Sequence, residues 1–139
     1  METLIIFKIA EEVIGMDIRK VREVTELPAV VPVPKSPDFL FGLANIRGEI
    51  VPVISLRRRL GIGGDELCNL LLVVEDGERI AGLRVDNLLG TKKINERNIN
   101  TKSDMLATKK KKDFFFGVYE TEEKPILILD LNKTLAEDE

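Results

Sequence analysis

The sequence predicts an all-β protein of two similar small lobes with short helical turns. Three observations carry that prediction. Short apolar runs recur along the chain with turn signals between them. The apolar content is dominated by Val, Ile and Leu, with no Trp and a single Tyr, which suits strands around a small aliphatic core. The two halves of the chain also resemble each other in sequence.

Taken in order, Leu4 to Ile9 is an apolar run ended by Glu11-Glu12. In Val13 to Ile18, residues Val13, Gly15 and Asp17 alternate against Ile14, Met16 and Ile18. This is the pattern of a hairpin with one face in a core. Val21 to Leu27 reads as a third strand, or as a helical turn running into one. Pro28, Pro32, Pro34 and Pro37 exclude a continuous helix and mark an extended loop. Phe39 to Leu43 opens a new apolar segment, Gly48-Glu49 turns the chain, and Ile50 to Leu56 is a further strand. Pro52 suits that strand only near an edge or a bulge. Arg57 to Gly61 reads as one helical turn stopped by glycine, and Ile62 to Glu66 as a linker. Leu70 to Val74 and Ile80 to Val85 flank Asp76-Gly77, the strongest turn signal in the chain. A strand-poor stretch spans residues 95–113. Phe114 to Tyr119 and Pro125 to Leu131 close the chain as a hairpin, with a helical turn from Asn132 to Ala136.

The repeat sets the architecture. Gly15-Met16-Asp17-Ile18 matches Gly82-Leu83-Arg84-Val85, 67 positions on. Asp38-Phe39-Leu40-Phe41-Gly42-Leu43 matches Asp113-Phe114-Phe115-Phe116-Gly117-Val118, 75 positions on. At that same offset Val53 to Leu56 aligns with Ile128 to Leu131, and Leu60 with Leu135. About five strands in each half suit a small closed barrel, which removes exposed edges. Two such barrels leave a groove between them where a partner could lie.

Candidate chemistry is sparse. A chain of 139 residues without histidine has no histidine-based triad, metal–histidine site or histidine phosphotransfer. Gly61-Ile62-Gly63-Gly64 lacks the Lys-Ser/Thr of a phosphate loop and reads as a hinge. Cys68 opens an apolar strand, where a buried, inert thiol is expected. The pairs Glu11-Glu12 and Glu122-Glu123 fall at turns. No cofactor and no metal are expected, and an enzyme is not indicated. The net charge of −3 argues against a general nucleic-acid binder. Lys109 to Lys112 is the one basic cluster and leaves a small-barrel nucleic-acid module as the alternative reading. No apolar run reaches the ~18–20 residues of a membrane span, and the N-terminus lacks a signal-peptide pattern. A single cysteine points to a reduced, cytoplasmic setting.

The most informative stretch runs from Phe41 to Leu56, two apolar strands joined at Arg47-Gly48-Glu49. Arg47 stands between residues expected to be packed, so a partly buried guanidinium needs its donors met. It can tie a lobe together, be presented at the groove, or do both. This segment resembles the signature of CheW-type coupling domains, G-x-x-N-L-R-G-x-x-x-P-V-x-D-L. Gly42, Asn45, Arg47, Gly48, Pro52, Val53 and Leu56 match, Ile46 replaces leucine, and Ser55 stands where the family has aspartate. Phe7 to Val24, Val31 to Lys35, Gly82 to Asp86 and Pro125 to Leu135 extend the likeness, with a gap from about residue 102 to 113.

The resemblance implies two SH3-like five-stranded barrels. The first covers about residues 10–60 with a pairing terminal strand, the second about 66–131, and a helical turn follows at 132–137. It implies an adaptor, cytoplasmic and held at membrane-bound receptor arrays by protein contacts, linking chemoreceptor tips to the histidine kinase CheA. Carried onto matching positions, kinase contacts would involve Ile5, Ile18, Val21 and Glu23. Receptor contacts would involve Gly42, Ile46, Arg47, Leu88 and Thr91. A regulatory region of a kinase or of a receiver-bearing coupler is the alternative inside the family, against which Met1 and the two-barrel length favour a stand-alone adaptor.

Overall fold

The computed structural model describes residues 2–66, 68–102, 106 and 112–136. The strands are β1 (Thr3–Ile9), β2 (Glu12–Asp17), β3 (Val21–Glu26), β4 (Val30–Val31), β5 (Leu40–Ile46) and β6 (Glu49–Ser55). After helix α1 (Leu56–Arg59) come β7 (Leu70–Asp76), β8 (Arg79–Val85), β9 (Asn87–Lys93), β10 (Ile99–Asn100), β11 (Phe115–Tyr119) and β12 (Ile126–Leu129). Helix α2 (Leu131–Leu135) follows. The expected strands are present. The sequence reading missed β9, because it is an edge strand exposed along nearly its whole length and lacks apolar alternation. The two-residue strands β4 and β10 also escaped it.

The strands form two six-stranded sheets. A terminal sheet has the order β10-β11-β12-β2-β1-β9, and a central sheet the order β4-β5-β6-β8-β7-β3. The all-β class and the two-lobed plan are as expected, but among the described residues neither sheet closes through its backbone into the expected five-stranded barrel. The expected division of the chain near residues 60–66 is not followed either. Hairpin β1–β2 from the first half lies in the sheet of the second half, and β7–β8 lies in the sheet of the first.

This exchange obeys the internal repeat. Gly15 on β2 pairs in parallel with Ile128 on β12, and its counterpart Gly82 on β8 pairs in parallel with Val53 on β6. Phe7 faces Leu88 across β1 and β9, as Val74 faces Val21 across β7 and β3. Even the bulges correspond: Arg22 is the extra residue in β3, and Leu89 the extra residue in β9. Likewise Phe41 bulges from β5 and Phe116 from β11.

Burial explains the arrangement. The largest core cluster draws on both sheets, with Ile5, Phe7, Ile14 and Met16 from one and Leu72, Val74, Leu83 and Val85 from the other. At ~1.5–3 kcal/mol for each large aliphatic removed from water, neither half could expose this surface and remain folded. Each sheet also encloses a smaller cluster on its other face. Leu71, Val73, Val51 and Val53 in the central sheet correspond to Leu4, Ile6, Ile126 and Ile128 in the terminal one.

Arginines fasten the junction between the two halves. Arg59 is 3% exposed and lies between the rings of Phe39 and Phe114, at 4.0 and 4.6 Å from their centroids. Its Nε donates to the Thr134 carbonyl at 3.0 Å and its Nη2 to that of Ala136 at 2.5 Å. Phe39 and Phe114 are repeat counterparts, so this guanidinium sits between equivalent positions of the two halves. Arg57 donates to Asp86 and to the carbonyl of Gly63, and Asp86 also accepts from the Ala10 backbone N–H. The expected linker and hinge at residues 61–66 is therefore tied down rather than free. Cys68, expected to be buried, is exposed in the loop ahead of β7.

Candidate interaction surfaces

The Asn45-Ile46-Arg47-Gly48 segment ends β5 and forms the tip of the β5–β6 hairpin. Arg47 (φ 51°) and Gly48 (φ 86°) both have positive φ, the combination of a type I′ turn, whose favoured residues are Asn-Gly or Asp-Gly. Asn45 Oδ1 accepts the Gly48 N–H at 2.8 Å and holds the tip. Arginine is a costly choice at such a position, by roughly 1 kcal/mol or more. Its side chain is 82% exposed rather than partly buried, and Nε donates to Glu23 Oε2 at 3.0 Å. A second ion pair, Arg22–Glu49 at 3.2 Å, lies beside it. Strand β3 is not adjacent to β5 or β6 in the sheet, so these pairs close by side chains the seam that the backbone leaves open.

The other expected contact residues are placed unevenly. Ile5 is 5% exposed and belongs to the main core, and Ile46 is 9% exposed beneath the hairpin tip. Gly42 is buried as well. A Cβ there would lie 2.4 Å from the Val31 carbonyl oxygen. The close approach that requires glycine is thus made by β4 of the same chain. Gly117 has the same relation to Asn100 on β10, at 2.7 Å. Ile18 and Val21 are half-buried against the main core, and Glu23 is half-buried in its pair. Arg47, Leu88 and Thr91 are exposed. Arg47 and Glu23, expected on different surfaces, are in contact, whereas Leu88 and Thr91 lie on β9 of the other sheet.

Apolar surface that the sequence reading overlooked surrounds the tip. Val31, Leu43 and Pro52 stand in one row across β4, β5 and β6, and Ile50 faces Asn45 in the next. Val31 is 68% and Ile50 62% exposed. With Gly42, Ala44 and Ile46 turned inward, period-two alternation forces Leu43 and Asn45 outward. That alternation was the available signal.

Ser55 caps α1 by accepting the Arg58 N–H at 3.2 Å, as its counterpart Asp130 caps α2 by accepting that of Lys133 at 3.1 Å. The Ser55 hydroxyl also donates to Glu66. Glu66 pairs with Arg84 at 2.9 Å, so a carboxylate from the following loop stands beside the serine.

Among the described residues two carboxylates have clearly shifted acidity, and both are lowered. The Arg19 side chain hydrogen-bonded to Asp17 holds that group below its ordinary value, and the Lys20 ammonium does the same for Asp76. Both stay charged, the opposite of what an acid catalyst requires. Among the described residues no group of three or more His, Cys, Asp or Glu could hold a metal ion, and no helix is long and apolar enough to cross a membrane.

These features define a class: an all-β scaffold of two reciprocally interlocked sheets that offers an arginine-tipped hairpin and exposed apolar strips. Comparison with known proteins agrees. The CheW-like domain family matches residues 3–139. The chemotaxis protein CheW of Thermotoga maritima is 33% identical over 134 residues, covering 94% of this chain and 85% of that protein. That of Klebsiella aerogenes is 28% identical, covering 99% and 84%. The crystal structure of the scaffolding protein TtCheW from Thermoanaerobacter tengcongensis superposes with a TM-score of 0.87 at 31% identity, over 99% of this chain and 89% of that one. The chain belongs to the CheW family.

Proposed function

We propose that this chain is a chemotaxis coupling adaptor that joins the cytoplasmic tip of chemoreceptors to the regulatory domain of the histidine kinase CheA, without catalysis of its own. The observation that carries the reading is Arg47. An arginine kept at a strained, exposed turn where Asn or Gly would be more stable is explained by a partner that needs its charge. Family membership over residues 3–139 supports the same conclusion. In this reading the surface around Ile18, Val21 and Glu23 meets the kinase, and Arg47, Leu88 and Thr91 meet the receptor. Ile5, Gly42 and Ile46 act from beneath by shaping those surfaces. The adaptor works in the cytosol and reaches receptor arrays through protein contacts.

Co-purification of the full chain with a CheA regulatory domain and with a receptor-tip fragment tests this. Retention of both is expected, and retention of neither would overturn the reading.

A further inference from the structure

The two interlocked lobes differ at one seam. In the central sheet the seam between β3 and the β5–β6 turn is closed by Arg47–Glu23 and Arg22–Glu49, over the buried Ile46. Counterparts in the terminal sheet, at offsets of 75 and 67, are Glu122 for Arg47, Gly90 for Glu23, Leu89 for Arg22 and Lys124 for Glu49. Neither pair can form there. Thr121 replaces Ile46, and its hydroxyl is engaged within its own turn. The result is a groove of about 580 Å³ between β9 and the β11–β12 turn, with Ile6, Val13, Leu89, Tyr119 and Ile126 in its lining.

Three further features say what fits. Among the described residues strand β9 is the edge of its sheet and pairs with β1 alone, so it offers a row of main-chain donors and acceptors. Leu89 is 49% exposed beside it. Glu120, Glu122 and Glu123 border the groove and are exposed, and among the described residues none of their carboxylates has an ion-pair partner. Lys92 and Lys124 also line the groove, and the Lys124 ammonium donates to the Glu11 carbonyl, so the three glutamates leave the rim with an excess of negative charge.

We propose that this groove takes an extended segment of a partner protein, alternating basic and small apolar side chains, that adds as a strand along β9. Main-chain bonds to the free edge hold it, every second side chain meets the apolar lining, and Lys or Arg on the other side meets the carboxylates. A helix satisfies its own backbone and would leave the edge unpaired. An acidic rim also repels nucleic acid and anionic lipid.

The test is a titration of the full-length, ¹⁵N-labelled protein at low salt with a short alternating Lys-Val peptide, with a Glu-Val peptide and oligolysine as controls. Amide shifts confined to Leu89–Lys92 and Tyr119–Ile126 are expected for the Lys-Val peptide alone. Affinity should fall about tenfold or more in a Glu120→Lys, Glu122→Lys, Glu123→Lys variant. Leu89→Ser, which keeps the charges and the edge, should also weaken it. Shifts elsewhere, equal binding of oligolysine, or unchanged affinity in the charge-reversed variant would each overturn the proposal. Thr91 lines this groove and also belongs to the proposed receptor surface, and the charge-reversed variant leaves it in place. That variant should lose the Lys-Val peptide while retaining the kinase domain and the receptor tip, so failure here and failure of the coupling role read differently.

Discussion

Arg47 and Glu23 lie 3.0 Å apart, one at a hairpin tip and the other on an edge strand that is not its neighbour in the sheet. Under the proposed coupling role the pair would join the two contact surfaces, and a receptor that drew the guanidinium away would release the Glu23 carboxylate.

Replacing Arg47 by Asn separates folding from binding. The loss of an exposed ion pair, about 0–1 kcal/mol, is offset by relief of the positive-φ strain, about 1 kcal/mol. Thermal melts should therefore shift little or rise slightly, while receptor-tip co-purification falls sharply. A large drop in stability would make the arginine a structural tie instead.

Exchanging the charges, with Glu23→Arg and Arg47→Glu together, should restore any stability lost in either single variant, because the pair is re-formed across the seam. Partner binding should stay impaired. A double-mutant cycle on melting and on co-purification reads the two effects separately.

Arg59→Ala should be far more damaging, at about 3 kcal/mol or more, since it removes a buried guanidinium from between two rings and leaves helix-end carbonyls without donors. Arg59→Lys should recover only part, because an ammonium cannot stack between Phe39 and Phe114 while bonding those carbonyls. Denaturant unfolding of the two variants gives the order.

Gly42→Ala and Gly117→Ala should both destabilise, by about 1–3 kcal/mol each, with Gly42→Ala the worse. Its new methyl meets the Val31 carbonyl more closely, and its φ of 154° adds strain. If Gly42→Ala melted normally yet lost receptor binding, the glycine would serve a partner's approach rather than that of β4.

Asp76 accepts from Lys20 at 3.0 Å and Arg79 at 2.8 Å, which lower its pKa from 3.8. A lowered folded-state pKa adds stability above the unfolded value, lost as pH falls through the folded one. Asp76→Asn should therefore melt below the parent at pH 7, with the gap narrowing below about pH 4. A gap constant from pH 7 to 3 would count against the ion pairs.

The strands, turns and repeat were legible because they are local. Apolar runs, the Asp76-Gly77 turn and the matched segments 67 and 75 residues apart are written in short windows. The Asn45-Ile46-Arg47-Gly48 segment was legible as a motif, and its exposure was not. Whether an arginine between Ile46 and Gly48 is buried depends on where β3 passes, which no local pattern records.

What the sequence determined by itself is therefore the all-β class, the duplication and the family likeness. Tertiary structure alone decided that the halves exchange their hairpins. That choice follows from burial: Phe7, Ile14, Leu72 and Leu83 belong to one core spanning both sheets, and apolar burial has no direction along the chain. It also decided that one seam is latched and its counterpart open. The charges at Arg22, Glu23, Arg47 and Glu49 have meaning only once β3 is brought beside a hairpin that lies 24 residues away from Glu23 in the chain.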